Sequence, residues 1–166
     1  MIKNSLIDLE GILVGLGAGY DKKSRDVVSS VVRDDKGNMW VGGTYGNGVN
    51  LYKKSKSNFK LYKHESSANS ISHNSAHSIY EDADNNLWIG TDGGGLNYFN
   101  SKTEKFTSYK KKTGDRNRVS GDNVVAIAED DEQNLWLGTM GEGVRILNRK
   151  TKKFTSFNNK LDDTSG

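Results

Sequence analysis

Three tryptophans, Trp40, Trp88 and Trp136, stand 48 residues apart in matching surroundings, and this interval constrains the fold more than any other feature of the chain. A fixed period of that length is the signature of a repeat architecture, in which each unit buries its apolar faces on its neighbours. The segments DDKGNMWVGGTYGNGVNLY from Asp34, DADNNLWIGTDGGGLNYF from Asp82 and DDEQNLWLGTMGEGVRIL from Asp130 all place an Asp six residues before the Trp and an Asn two before it. An aromatic pair follows in each unit: Phe59 and Tyr62, Phe106 and Tyr109, Phe154 and Phe157. A longer turn at Gly43–Asn47 absorbs the one-residue offset of the first unit.

Each unit holds four short β-like runs separated by turn signals; in the second they are AHSIYED, LWIGT, LNYF and KFTSY. Four such strands make the blade of a β-propeller. The spacing therefore predicts an all-β chain with three full four-stranded antiparallel blades and a partial N-terminal blade. With no Pro and 19 Gly, the turns fall to Gly, Asn and Asp, which tolerate left-handed angles or bond their own main chain. Alternation sets Leu87 and Ile89 on one face and Trp88 on the other, so both faces are expected to pack on neighbouring blades. The small residues Ser30, Ser78 and Ala126 mark the first strand as innermost and the aromatic fourth strand as outermost. The three Trp are read as core. The recurring Asp and Asn are read as hairpin caps, because so short a turn cannot supply the six or more oxygens of a calcium site.

This reading divides the chain into a degenerate partial blade over 1–26 with Leu13 in the Trp position, blades over 27–62, 75–109 and 123–157, linkers over 63–74 and 110–122, and a truncated linker over 158–166. Closed propellers have about four to eight blades. A three-blade arc is thus expected to leave apolar terminal faces, carrying residues such as Leu135 and Leu137. It is expected to self-associate, most simply as a head-to-tail dimer, or to be completed by further blades of a parent chain.

The run NLWIGTDGGGLNYFNSKTEKFTSY, with SIYEDADN before it, resembles the two-component regulator propeller repeat, and the likeness extends roughly from Val27 to Phe157. The resemblance implies a sensory role. In that family many such blades form one or two propellers in the periplasmic sensor region of hybrid two-component histidine kinases, which typically respond to oligosaccharides from polysaccharide breakdown. It thereby implies a periplasmic location and an oligosaccharide ligand, but it supplies no ligand-binding motif.

The residues themselves carry no catalytic or cofactor signature. Without Cys there is no disulfide, thiolate metal site or Cys nucleophile. His73 and His77 are four apart, near His64, but in a loop and a first strand; that spacing joins metal ligands on one face only in a helix. No Ser sits in a Gly-x-Ser-x-Gly elbow. The pairs Glu81–Asp82 and Glu129–Asp130 recur with the blade, as architecture does. No glycine turn leads into a helix that could hold a phosphate. The net charge of +3, from 24 Lys and Arg against 21 Asp and Glu, is spread along the chain, and the densest run, Lys110 to Lys112, adjoins an outer strand whose edge it guards. No nucleic-acid footprint results. Asp8 and Glu10 interrupt the N-terminal apolar stretch, and no run approaches the ~20 residues of a membrane span, so no signal sequence or membrane contact is expected of this segment.

What remains is a non-catalytic ligand-binding module, with a scaffold for subunit or domain association as the alternative. In a four-stranded blade the turn between strands two and three shares a face with the linker into the next blade. That face is expected to gather Tyr45, Asn47, His73, Asp92, Arg118, Asp122, Met140 and Glu142 as candidate ligand contacts, residues that differ from unit to unit where the opposite face repeats. No catalytic residue, metal ligand or cofactor is expected.

Overall fold

The computed structural model describes residues 27–43, 46–67, 69–110 and 122–157. The expected partial blade over 1–26 and the final linker over 158–166 lie outside the described residues, as does most of the linker over 110–122. Blade 1 consists of β1 (Val28–Arg33), β2 (Met39–Gly43), β3 (Val49–Lys53) and β4 (Asn58–Tyr62). Blade 2 consists of β5 (Ala76–Glu81), β6 (Leu87–Thr91), β7 (Gly95–Asn100) and β8 (Lys105–Tyr109), and blade 3 of β9 (Val124–Glu129), β10 (Asn134–Thr139), β11 (Gly143–Asn148) and β12 (Lys153–Phe157). Each blade is a separate antiparallel sheet with its strands in chain order. Among the described residues there is no helix. β5 packs between β1 and β9, so the first strands lie together on the inner side, as the small residues there require.

The first hairpin of every blade is closed by the same device. Asp34, Asp82 and Asp130 each accept the backbone N–H of the Asn four residues on, at 2.7, 2.9 and 2.7 Å. The second carboxylate oxygen accepts the indole N–H of Trp40, Trp88 or Trp136 at 2.9, 2.9 and 2.8 Å. The repeated Asp thus caps the turn and also satisfies the one polar atom of a large side chain that the blade buries.

Two apolar seams join the blades. In the first, Trp40, Val49 and Leu51 of blade 1 meet Leu87, Ile89 and Phe99 of blade 2, with Ile71 of the linker between them. In the second, Trp88 and Leu96 meet Leu135, Leu137, Leu147 and Phe154 of blade 3. Alternation therefore works as the sequence suggests: the aliphatic faces of β6 and β10 receive the preceding blade, and the indole faces of β2 and β6 receive the next. Burying each such side chain contributes about 1.5–3 kcal/mol. Leu135 and Leu137, expected on an open terminal face, are instead fully buried at the second seam, because it is their face that meets blade 2. The other face of blade 3 carries Trp136, Val144 and Ile146, all half-buried, with Phe157 exposed at 49%. Trp136 is accordingly less buried than Trp40 and Trp88.

In blades 1 and 2 the Gly two residues after the Trp lies tight against the next blade. A Cβ on Gly42 would stand 3.0 Å from the carbonyl oxygen of Ala76 in the next blade, and one on Gly90 only 2.5 Å from that of Val124. The first strand of the following blade crosses there, against β2 or β6.

Candidate functional site

The candidate site lies where the turn between the second and third strands meets the linker, and its frame is backbone. In blade 2 the N–H of Asp92 donates to the carbonyl of Ser75 at 3.0 Å, and those of Gly93 and Gly95 donate to the carbonyl of Asp122 at 3.0 and 2.7 Å. Gly93 and Gly95 have φ of 90° and 71°, angles that an L side chain adopts at a cost, which explains the Gly-x-Gly turn. Blade 1 repeats the arrangement with Gly48 donating to Asn74 at 2.7 Å, and in blade 3 Met140 donates to Asn123 at 3.0 Å. Each turn is thereby tied to the segment that leads into a first strand.

A buried amide clamps the linker from beneath. Asn97, fully buried on β7, accepts the Ser72 N–H at 2.9 Å and donates to the Ser72 hydroxyl at 2.8 Å, while that hydroxyl donates to the Gly94 carbonyl at 2.6 Å. The clamp presents His73 above the turn: its Nδ1 accepts the Ser75 N–H at 3.2 Å, and its Nε2 lies beside Gly93. His77, on the bulged stretch of β5, sets its Nε2 3.8 Å from the Asp92 carboxylate, which is about half exposed. Asn123 adds a side-chain oxygen that accepts the Gly93 N–H at 2.7 Å.

Of the eight residues expected on this face, His73, Asp92 and Asp122 come together at the blade 2 turn. Asn47 stands at the corresponding turn of blade 1 and Met140 and Glu142 at that of blade 3, Met140 being 62% exposed. Tyr45 and Arg118 lie outside the described residues. His77, Asn123 and the Ser72–Asn97 clamp belong to the site and are missing from the sequence-based set. His77 was visible only as half of a His pair without helical spacing; its tie to Asp92 depends on the bulge in β5. Among the described residues no group of three or more His, Asp or Glu side chains is arranged to hold a metal ion. The described side chains of this face can accept and donate hydrogen bonds.

The opposite face is spent differently. There Arg149, in the turn after β11, reaches back to Asp82 at 2.9 Å and Asp84 at 3.0 Å of blade 2, and to Glu129 at 2.6 Å. Lys152 of the same turn lies 5.8 Å from the Trp88 ring centre. At the first seam Glu104 joins Lys53 and Lys60, and its carboxyl is lowered chiefly by the Lys60 hydrogen bond.

Four-stranded sheets stacked through Trp seams, with first strands innermost, define the chain as a run of β-propeller blades. Residues 22–45, 70–93 and 118–141 each match the family described as two component regulator propeller. The chain carries three repeats of that family. Its fold is similar to the extracellular domain of BT3049 from B. thetaiotaomicron, assigned as a hybrid two-component system, with 28% identity and a TM-score of 0.74 over 83% of this chain. The chain spans only 19% of that relative's length. Virginiamycin B lyase from Staphylococcus aureus shares the fold at 16% identity and a TM-score of 0.60, covering 80% of this chain and 41% of the lyase. No curated protein matches the chain.

Proposed function

We propose that this chain is a non-catalytic, ligand-binding stretch of a sensor propeller on the extracytoplasmic, periplasmic side of the membrane, and that its linker face receives a neutral oligosaccharide. One observation carries the reading: two imidazoles, His73 and His77, the Asp92 carboxylate and the Asn123 amide converge on a turn whose Asp92, Gly93 and Gly95 N–H groups are already bonded. Imidazole and carboxylate groups held this way suit the mixed donors and acceptors of sugar hydroxyls. The repeats of the two-component family and the extracellular relative in B. thetaiotaomicron support the sensor role and the location. Calorimetric titration with neutral oligosaccharides from polysaccharide digests is the test. Saturable binding that His73→Ala and Asp92→Asn each weaken about tenfold is expected, as for loss of a charge-assisted hydrogen bond. Failure of every such oligosaccharide to bind removes the reading.

A second reading, association through blade faces, is favoured by the open side of blade 3. Trp136, Val144, Ile146 and Phe157 occupy the positions at which Trp88, Leu96, Tyr98 and Tyr109 of blade 2 hold blade 3. A face built to receive a blade will take one from a second copy, or from further blades of a parent chain, and the isolated chain is expected to dimerise. Light scattering that gives 18.3 kDa at all concentrations would exclude this.

A further inference from the structure

The open face of blade 3 and the first face of blade 1 are matched as the two halves of a seam. In the first seam Trp40, Val49, Leu51 and Tyr62 of blade 1 receive Ile79, Leu87 and Phe99 of blade 2. Strand register places Trp136, Val144, Ile146 and Phe157 of blade 3 at the receiving positions: an indole, a Val, an aliphatic side chain and an aromatic ring, as before. Register likewise places Val31, Met39 and Tyr52 of blade 1 where blade 2 has Ile79, Leu87 and Phe99. Val31 is 53% exposed, whereas Ile79 in its seam is 7% exposed.

Apolar faces alone do not select an occupant, and two further observations do. Gly138 has no positive φ that would call for glycine, and a Cβ there would meet only Ala126 of its own blade. Its counterparts Gly42 and Gly90 are held to glycine by the Ala76 and Val124 carbonyls of the following first strand. Gly138 thus keeps room that only an incoming first strand requires, and Val28, 42% exposed, is the blade 1 counterpart of Ala76 and Val124. The second observation is charge. The residue after the third strand is Lys54 in blade 1, Ser101 in blade 2 and Arg149 in blade 3. Arg149 ties its blade to Asp82 and Asp84 in the first hairpin of the blade before it. The same hairpin positions in blade 3 are Asp130 and Glu132, and Lys54 is an exposed cation at the position from which Arg149 makes its pairs.

We infer that this chain closes head to tail on a second copy of itself, the first face of blade 1 in each copy seating on the open face of blade 3 in the other. At each junction Lys54 of one copy pairs with Asp130 and Glu132 of the other, and Val28 crosses Gly138. Three blades from each copy make a ring of six, within the range of about four to eight for closed propellers. This rests on the association reading above and adds to it the partner face, the register and the ion pair.

Sedimentation equilibrium of the full chain is the test, and a monomer–dimer equilibrium is expected. Lys54→Glu should weaken the dimer about tenfold, because a carboxylate then faces Asp130 and Glu132 at both junctions, and Glu132→Lys several-fold. An equimolar mixture of the two variants should recover to within a few-fold of the unmodified chain. In the mixed pair one junction keeps the native Lys54–Glu132 pair and the other carries it reversed. Gly138→Ala should weaken the dimer about tenfold while changing the monomer's unfolding midpoint little, since the added methyl clears Ala126 by 3.2 Å. A chain that stays at 18.3 kDa at all concentrations overturns both this inference and the association reading. Assembly beyond two chains, a dimer indifferent to Lys54→Glu and Gly138→Ala, or a mixture as weak as its components overturns this inference alone.

Discussion

Gly37, Asn85 and Gln133 occupy one left-handed position in the three first hairpins, with φ of 77°, 61° and 66°. The chain thus contains its own substitution series. Gly meets no penalty there, Asn a small one, and a longer side chain about 1–2 kcal/mol. Gln133→Gly is therefore expected to stabilise the chain by roughly 1 kcal/mol, less the added freedom of the unfolded state, read from the midpoint of urea unfolding; a lower midpoint would mean that the Gln133 side chain contributes contacts of its own. Glu81 offers a pH-dependent counterpart. Its carboxyl is raised by burial and by Asp34, so its contribution to folding is full below the ordinary glutamate range and is lost as pH rises through the elevated value. Glu81→Gln, which keeps an oxygen to accept the Asp35 N–H, should raise the melting temperature at neutral pH and leave it unchanged in acid below that range. An equal shift at both pH values would assign the effect to packing rather than charge.

Blades meet through strands, and the glycines after the Trp residues set how closely. Gly90→Ala would drive a methyl into the Val124 carbonyl and side chain, at 2.5 and 2.8 Å, and against the Ser78 hydroxyl of its own blade at 2.5 Å, and is expected to cost on the order of 1–3 kcal/mol. Gly138→Ala meets nothing nearer than the Ala126 methyl of its own blade at 3.2 Å and should cost much less; equal losses would mean that neither Ser78 nor the crossing of β9 fixes Gly90. This level of structure was largely legible in the sequence, because blade strands are local and their alternation is written in consecutive residues. Asp82 and Trp88 six apart pointed to a capped hairpin, although the indole bond between them follows only once both side chains turn toward the same end of the sheet. Which face of a blade receives which neighbour was not legible. Alternation separates Leu135 and Leu137 from Trp136, but the twist that turns one set toward blade 2 belongs to the assembled sheet.

The candidate site is a property of the whole arc, and correspondingly less of it could be read in advance. His73, Asp92 and Asp122 meet at the blade 2 turn, a juxtaposition that follows from strand count alone. The Ser72–Asn97 clamp spans 25 residues and the Arg149–Asp82 pair 67, and neither leaves a periodic trace in the chain. Long-range polar contacts of this kind fix what each face can do: Asp82 and Glu129 are engaged in holding blades together, while the blade 2 turn and its linker leave a varied set of side chains on a hydrogen-bonded frame. The central claim is that this linker face receives the sensed ligand. Amide hydrogen exchange of the chain, with and without a neutral oligosaccharide that binds it, tests that claim most directly. Protection is expected at residues 72–77, 92–95 and 122–123, with the Asp82–Asn86 turn unchanged; protection confined to Asp82–Asn86, with the linkers unaffected, would contradict it.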